Sequence, residues 1–222
     1  MTEDASRTDP AAAEESLPVV SQPSTQPEGS ADVWGVVLAA GTSTRFEGRN
    51  KLLQTVGGQP LVRHAAEPLL AGHLTDVVVV VGHEAARVGE ALAAVDVRVA
   101  ENPDYGEGQS TSVRTGVDVA QRNGADAVLV ALGDMPSVSV RTVARLVATY
   151  ESGEYTALAA AYRGDRGNPV LFDAAHFDAL RSLSGDVGGR EILLTAAESA
   201  LVETDDPGVR RDVDSPGDVL DN

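Results

Sequence analysis

The chain reads as α/β: a single Rossmann-like, three-layer domain whose mostly parallel sheet lies between layers of helix. Two observations predict this. Apolar runs of strand length alternate with stretches of helix length in the order βαβαβ, the pattern of a parallel sheet covered on both faces. The 222 residues, 42% hydrophobic and 23% charged, suffice for one sizeable domain of this class and are few for two.

Residues 1–31 read as a disordered acidic tail, rich in Glu, Asp, Ser, Pro and Gln, with Leu17-Pro18-Val19-Val20 as the one apolar patch. So little apolar surface does not offset the entropy of ordering the segment. Residues 32–222 form the domain. Its first strand ends in Val36-Val37-Leu38-Ala39-Ala40 and opens into Gly41-Thr42-Ser43-Thr44-Arg45-Phe46-Glu47-Gly48-Arg49-Asn50-Lys51. Gly41 lets the backbone turn close to a ligand, and successive amides in such a loop cradle anions. Arg45, Arg49 and Lys51 add positive charge, and Lys51 is the only lysine in the chain. The loop has neither the Walker spacing nor the Gly-x-Gly-x-x-Gly of dinucleotide folds. Taken alone, it is equally an ordinary glycine turn.

A turn at 57–60 starts a helix over about 61–71. A buried strand at 76–81, a helix over 84–94 and a short strand at 97–100 follow. Gly106-Glu107-Gly108-Gln109-Ser110-Thr111-Ser112 then precedes a helix reaching about residue 123. Hydroxyls and free amides gather there at a helix N-terminus, where anions are favoured, although a simple N-cap has the same composition. The strand at 127–132 stops at Gly133-Asp134-Met135-Pro136. A carboxylate at the carboxyl end of a buried strand faces the crevice where α/β sheets bind ligands. Asp134 would equally cap the helix over 138–150. A strand at 155–161 leads to Asn168-Pro169-Val170-Leu171-Phe172, and Gly185-Asp186-Val187-Gly188-Gly189-Arg190 forms a glycine loop with an arginine opening a helix. A guanidinium fork matches phosphate oxygens, so Arg190 is a candidate clamp, and a plain turn is the alternative. His176 falls on a helix surface without a role. Residues 209–214 read as the last strand, and Asp218 and Asp221 as a solvated tail.

The net charge of −17 and a pI near 4.4 argue against nucleic acid polymers, which an acidic field repels, but not against a metal-bound nucleotide. The 34 acids against a single lysine read as halophilic adaptation, since molar salt screens self-repulsion. The absence of cysteine removes disulfides and thiolate chemistry. No apolar run approaches a membrane span and no cationic, apolar leader opens the chain, so a cytoplasmic protein without a membrane partner is expected.

The string Leu38-Ala39-Ala40-Gly41-x-Ser43-x-Arg45-Phe46-x-Gly48-x-x-Lys51-Leu52-Leu53 resembles the signature of the nucleotidyltransferases related to the molybdenum cofactor guanylyl- and cytidylyltransferases. Four further strings resemble the same family in the same order: Gly106-x-Gly108-Gln109-Ser110-x-Ser112, Gly133-Asp134-Met135-Pro136, Gly167-Asn168-Pro169-Val170-Leu171-Phe172 and Asp212-Val213-Asp214-Ser215-Pro216-x-Asp218. In the last, Ser215 replaces a threonine. The resemblance implies a nucleotide-diphospho-sugar transferase-like fold and an Mg²⁺-dependent transfer of a nucleotide from an NTP to an acceptor phosphate, with pyrophosphate released. By the same resemblance, Lys51, Arg45 and Asp134 would be catalytic. Leu38, Ala39, Ala40, Gly41, Thr42, Ser43, Lys51, Gly108, Gln109, Ser110 and Ser112 would bind the nucleotide. Asn168, Pro169, Gly185, Asp186, Gly188 and Arg190 would face the acceptor, and Asp134 and Asp214 would hold the metal, with Asp212 a less secure third. The guanylyl branch carries Leu-Ala-Gly-Gly where this chain has Leu38-Ala39-Ala40-Gly41, and Gly185 to Arg190 resembles the cytidylyl branch. CTP is therefore expected over GTP or another NTP, with a molybdopterin-type acceptor and a molybdenum hydroxylase apoenzyme as a downstream partner. The alternatives are another acceptor, such as a sugar 1-phosphate, or a redox or maturation protein of molybdenum hydroxylases that releases no pyrophosphate.

Overall fold

The computed structural model describes residues 17–21, 30–43, 46, 49–215 and 217–218. The strands are β1 (Val19–Val20), β2 (Val33–Ala39), β3 (Thr55–Val56), β4 (Gln59–Pro60), β5 (Asp76–Val81), β6 (Arg98–Glu101), β7 (Ala127–Leu132), β8 (Ala157–Tyr162), β9 (Asp165–Asp173) and β10 (Ser199–Glu203). The helices are α1 (Leu61–Leu70), α2 (Ala85–Leu92), α3 (Gln109–Arg122), α4 (Val140–Glu151), α5 (Phe177–Ser182) and α6 (Arg190–Thr195). Strands β3 and β4 pair as a small hairpin, and the other eight form one sheet in the order β1-β10-β8-β9-β7-β2-β5-β6. Every neighbouring pair is parallel except those of β9, which runs antiparallel to both β7 and β8.

The valine run of β5 explains the layering. Val77, Val79 and Val81 face one core cluster, whereas Val78 and Val80 face the other. A strand covered on both faces needs this continuous apolar run instead of an alternating one. Helices α1, α2 and α4 cover the first face through Val62, Leu69, Val88, Leu92, Val143 and Leu146. Helices α3, α5 and α6 cover the second through Val113, Val117, Phe177, Leu180 and Leu193. Strand β2 lies between β5 and β7, so the loop that follows it opens at the point where the strand order reverses, the usual ligand crevice of such sheets.

Two expectations need correction. Within the stretch read as a disordered tail, Val19 and Val20 pair with Leu201 and Val202 as a parallel edge strand, and Leu17 packs against the second core cluster. The backbone hydrogen bonds of an existing sheet edge order this short patch, and one of them runs from Leu201 N to Pro18 O at 2.9 Å. Residues 209–214 are not a strand. Pro207–Arg210 is a 3₁₀ turn, capped where Asp206 accepts from Gly208 N, and the last strand is β10.

The reversal of β9 has a further consequence. Its amino end, Asp165 to Asn168, comes to the carboxyl ends of the parallel strands β7 and β8, with Arg166 in register with Ala161. Among the described residues, no helix is long and apolar enough to cross a membrane.

Candidate functional site

A cleft of about 520 Å³ opens at the carboxyl ends of β2 and β7. Leu38, Ala40, Gly41, Thr42, Ser43 and Lys51 line one wall, Gly108, Gln109 and Ser112 another, and Asp134, Asp186 and Asp214 complete it. Most of the residues expected to hold a nucleotide therefore converge on one space. Ala39 does not. It is 1% exposed and belongs to the core, because alternate residues of a strand face opposite sides of the sheet. Arg45 lies outside the described residues.

Lys51 is the charged centre. Its Nζ donates to Asp134 Oδ2 at 2.5 Å and to the Val213 carbonyl at 3.2 Å, and stands 3.9 Å from Asp214 Oδ1. The lysine opens a 3₁₀ turn, Lys51–Leu53, whose N-cap is Asn50. Asn50 is only 2% exposed; its Oδ1 accepts from Leu52 N at 3.0 Å and from Ser43 Oγ at 3.5 Å. Its Nδ2 donates to the His83 carbonyl, and Lys51 N donates to Ser43 Oγ at 3.1 Å. The loop after β2 is thus braced across itself and to the end of β5 before any ligand arrives. Sequence reasoning assigned Asn50 no role, although an Asn directly before a short helical turn is an N-cap signal.

The second wall rests on another buried amide. Asn102, 2% exposed, donates to Thr111 Oγ1 at 2.8 Å and Ser112 Oγ at 2.9 Å, while its Oδ1 accepts from Asp104 N. It thereby fixes the start of α3 against the turn that carries two further lining residues, Gly106, the first residue of the second motif string, and Tyr105, which sequence reasoning left without a role. The expected free amides of α3 are not free. Gln109 N donates to Asp186 Oδ1 at 3.3 Å and Ser110 N to the Gly185 carbonyl at 3.1 Å. Ser110 is fully buried and outside the cleft lining, with no hydrogen-bond partner for its Oγ among the described residues. Gly108 makes this contact possible. Its φ is +113°, and an added Cβ would lie 2.4 Å from the Gly185 carbonyl carbon.

The residues expected to face the acceptor are split. Asp186 lines the main cleft, while Gly185 and Gly188 pack near Gly108 and Gln109, on the nucleotide wall. Asn168 lines a separate, smaller cleft; Pro169 is buried behind a cis Asn168–Pro169 bond, and Arg190 is exposed at the start of α6 and lines neither cleft.

The final segment returns to the site. Val213 N donates to the Asp134 carbonyl at 2.8 Å, which ties the two carboxylate-bearing turns together. Asp218, read as solvated tail, instead braces Asp214. Its Oδ2 accepts from Asp214 N at 3.0 Å, Ser215 N at 2.7 Å and Ser215 Oγ at 2.9 Å. Those bonds, the Ser215 amide first, hold the Asp218 carboxyl below the usual aspartate range. Beside the loop, Arg87 likewise lowers the Glu84 carboxyl.

Among the described residues, no group of three or more His, Asp or Glu side chains gathers as a ready metal cage. Two carboxylates at one cleft still fit a hard divalent ion, because Mg²⁺ is commonly held by one or two carboxylates, with phosphate oxygens and water completing an octahedron. The arrangement can neutralise a polyphosphate from three sides, by loop amides, an ammonium group and a carboxylate-held cation.

Comparison with known proteins bears on the family and the fold. A family model described as the MobA-like NTP transferase domain matches residues 35–201. The chain is 34% identical over 190 residues to the nicotine blue oxidoreductase of Paenarthrobacter nicotinovorans, covering 82% of this chain and 92% of that protein. It is 31% identical over 193 residues to the purine catabolism protein PucB of Bacillus subtilis, covering 82% and 91%. Among solved structures, a nucleotidyl transferase from Methanothermobacter superposes with a TM-score of 0.72 at 27% identity, over 87% of this chain and 96% of that one. With the first four of its five motif strings inside the matched residues, the chain belongs to the MobA-like NTP transferase domain family, as a nucleotidyltransferase of the nucleotide-diphospho-sugar transferase fold.

Proposed function

We propose that the protein transfers CMP from CTP to the terminal phosphate of a molybdopterin-type acceptor and releases pyrophosphate. The observation that carries this reading is Lys51 held between Asp134 and Asp214, opposite the loop of Gly41, Thr42 and Ser43. An oxygen of the acceptor phosphate attacks the α-phosphorus, a new P–O bond forms, and the bond from the α-phosphorus to the bridging oxygen breaks, its electron pair leaving on pyrophosphate. Catalysis of this kind is positioning plus stabilisation of negative charge, and no side-chain nucleophile is needed. The loop amides, with Arg45 and Lys51, would hold the triphosphate. Asp134 and Asp214 would hold Mg²⁺, which supplies charge neutralisation on the phosphate oxygens. Asp218 would keep Asp214 in place.

The choice of CTP is supported by Ala40 in the cleft wall, where the guanylyl branch has glycine, and by the Gly185 to Arg190 loop packed on Gly108 and Gln109. The acidic surface supports work at high salt. The molybdopterin acceptor rests on the motif series alone. Purified protein incubated with Mg²⁺, molybdopterin and each NTP in turn tests the reading through pyrophosphate release and product mass.

A second reading is favoured by the name of one relative, nicotine blue oxidoreductase. In that reading, the same cleft binds a nucleotide-containing redox cofactor and releases no pyrophosphate. Flavin or nicotinamide absorbance that co-purifies with the chain would select it.

A further inference from the structure

The loop between α5 and α6 brings a third carboxylate to the main cleft, one that neither metal nor phosphate explains. Asp186 lines the cleft, and its Oδ1 accepts from Gln109 N at 3.3 Å. It is not a third metal ligand beside Asp134 and Asp214, since among the described residues no group of three or more His, Asp or Glu side chains could hold an ion. Nor does it suit a phosphate, whose charge it repels. Several contacts nevertheless fix it there. Arg114, on α3, donates from Nε to the Arg181 carbonyl at 3.0 Å and from Nη2 to the Leu183 carbonyl at 3.1 Å, both at the end of α5. Arg181 reaches back to α3, pairing with Asp118 at 3.3 Å and donating to Gln121 Oε1 at 2.8 Å. Ser110 N then donates to the Gly185 carbonyl at 3.1 Å. The segment from Arg181 to Asp186 is thus stitched along α3 and delivers its carboxylate at the first turn of that helix. The same bonds use the amides of Gln109 and Ser110, so a carboxylate stands where a helix start would otherwise take a phosphate.

We propose that Asp186 accepts hydrogen bonds from the ribose hydroxyls of the nucleotide, so that the cleft selects ribonucleotides over deoxyribonucleotides, and that Arg114 is the residue that positions it. The inference rests on the transferase reading given above. With the start of α3 closed to phosphate, the polyphosphate belongs to the Gly41 to Ser43 loop and Lys51, and the nucleoside to the α3 wall. Gly82 marks the place of the base. A Cβ there would lie 2.6 Å from Tyr105 Cβ and 2.8 Å from Ala40 Cβ, so its absence lets these two lining residues close up as an apolar, partly aromatic surface on which a planar base packs. Tyr105 leads through Gly106 and Gly108 to Gln109, and a sugar joined to that base comes to Asp186. A carboxylate only accepts, and the sugar offers neutral donors. With Oδ1 shared with Gln109 N, Oδ2 serves the vicinal hydroxyls, and the ionised acceptor makes each bond stronger than a neutral one. The acceptor substrate, which presents a phosphate, has no such use for Asp186.

The test measures binding to the full-length protein by calorimetry, with Mg²⁺ and without acceptor, for CTP, UTP, 2′-deoxy-CTP and 3′-deoxy-CTP. The wild type should bind CTP about tenfold more tightly than at least one of the deoxy forms, the usual loss for a hydrogen bond to a charged group. Asp186→Ala should narrow that ratio to less than about twofold while binding the deoxy form as the wild type does, which shows an intact fold. Arg114→Gln should narrow the ratio in part, and Arg114→Lys less so; a merely structural role would weaken CTP and its deoxy forms equally. The ratio of CTP to UTP affinity should not respond to Asp186→Ala. A ribose ratio unchanged in Asp186→Ala, whether the affinities hold or fall together, would overturn the proposal. So would a change in the CTP to UTP ratio instead, which would turn Asp186 toward the base amino group. Equal loss of CTP and deoxy-CTP binding in Arg114→Gln would remove Arg114 from the positioning role. Wild-type binding of CTP and both deoxy forms with equal affinity would remove the proposal and leave the transferase reading standing, whereas failure of every nucleotide to bind would remove both.

Discussion

Lys51 and Asp134, 83 positions apart in the chain, meet at 2.5 Å with side chains only 17% and 22% exposed. The ammonium group is the one lysine of a chain that otherwise uses arginine for positive charge. A compact, mobile point charge can leave a carboxylate for a phosphate during a reaction, whereas a guanidinium fork holds its partner in fixed geometry. Lys51→Ala and Asp134→Ala are each expected to lower pyrophosphate release about 10²–10³-fold, the usual loss for a charge-stabilising group at a reacting centre. Because the pair is partly exposed, thermal stability should change by no more than about 1 kcal/mol. An undiminished rate in either variant would remove that residue from the mechanism.

Asp218 is expected to act through Asp214. Asp218→Ala removes three hydrogen bonds from the turn that carries Asp214 and should raise the concentration of divalent ion needed for half-maximal activity, with nucleotide affinity little changed. The pH dependence follows from the lowered carboxyl. A depressed native pKa contributes order that is fully present above the unfolded value and is lost as pH falls through the native one. The Ser215 amide resonance should therefore hold its native position down through the ordinary aspartate range and shift only below it. A shift already complete near pH 5 would contradict the assignment.

Gly108→Ala tests the contact between the two walls. Its φ of +113° and the 2.4 Å approach to Gly185 leave no room for a methyl group against backbone. A loss of about 1–3 kcal/mol in stability is expected, together with weaker nucleotide binding, as measured by denaturant titration and calorimetry. A variant as stable as the wild type would show that the Gly185 loop is free to move away.

The edge strand gives a stability test away from the site. Val20→Asp places a charge where Val20 packs against the core cluster and should cost about 1–3 kcal/mol. It should also expose the edge of β10 and promote self-association, detectable by light scattering. Unchanged stability would mean that Val19–Val20 pairs only weakly.

The fold was largely legible because its strands are continuous apolar runs, and β2, β5 and β7 need no context to be read. Strand β10 was missed, although Ala200-Leu201-Val202 is an apolar run between polar residues, because its shortness leaves no periodicity to count. The pairing of Val19 with Leu201 was out of reach, since an edge is created by the sheet and not by the two residues that join it. At the site, motif residues with side chains facing the crevice were found, including Lys51, Asp134 and Asp214. Residues that brace others, such as Asn50, Asn102 and Asp218, were not, since which backbone or side-chain groups they meet depends on how the turns around them fold. The division of Asn168 from Gly185 and Asp186 was also hidden, because it depends on the direction in which β9 runs.

Nucleotide choice is the central claim, and it is tested most directly by pyrophosphate release from CTP and GTP with Mg²⁺ and molybdopterin, compared between the wild-type protein and Ala40→Gly. CTP is expected to be the better substrate for the wild type, with a product heavier than the acceptor by one cytidylyl group, and Ala40→Gly should move the preference toward GTP. Equal use of CTP and GTP by both proteins, or no acceptor-dependent release with either nucleotide, would show that the chain is not a cytidylyltransferase of this kind.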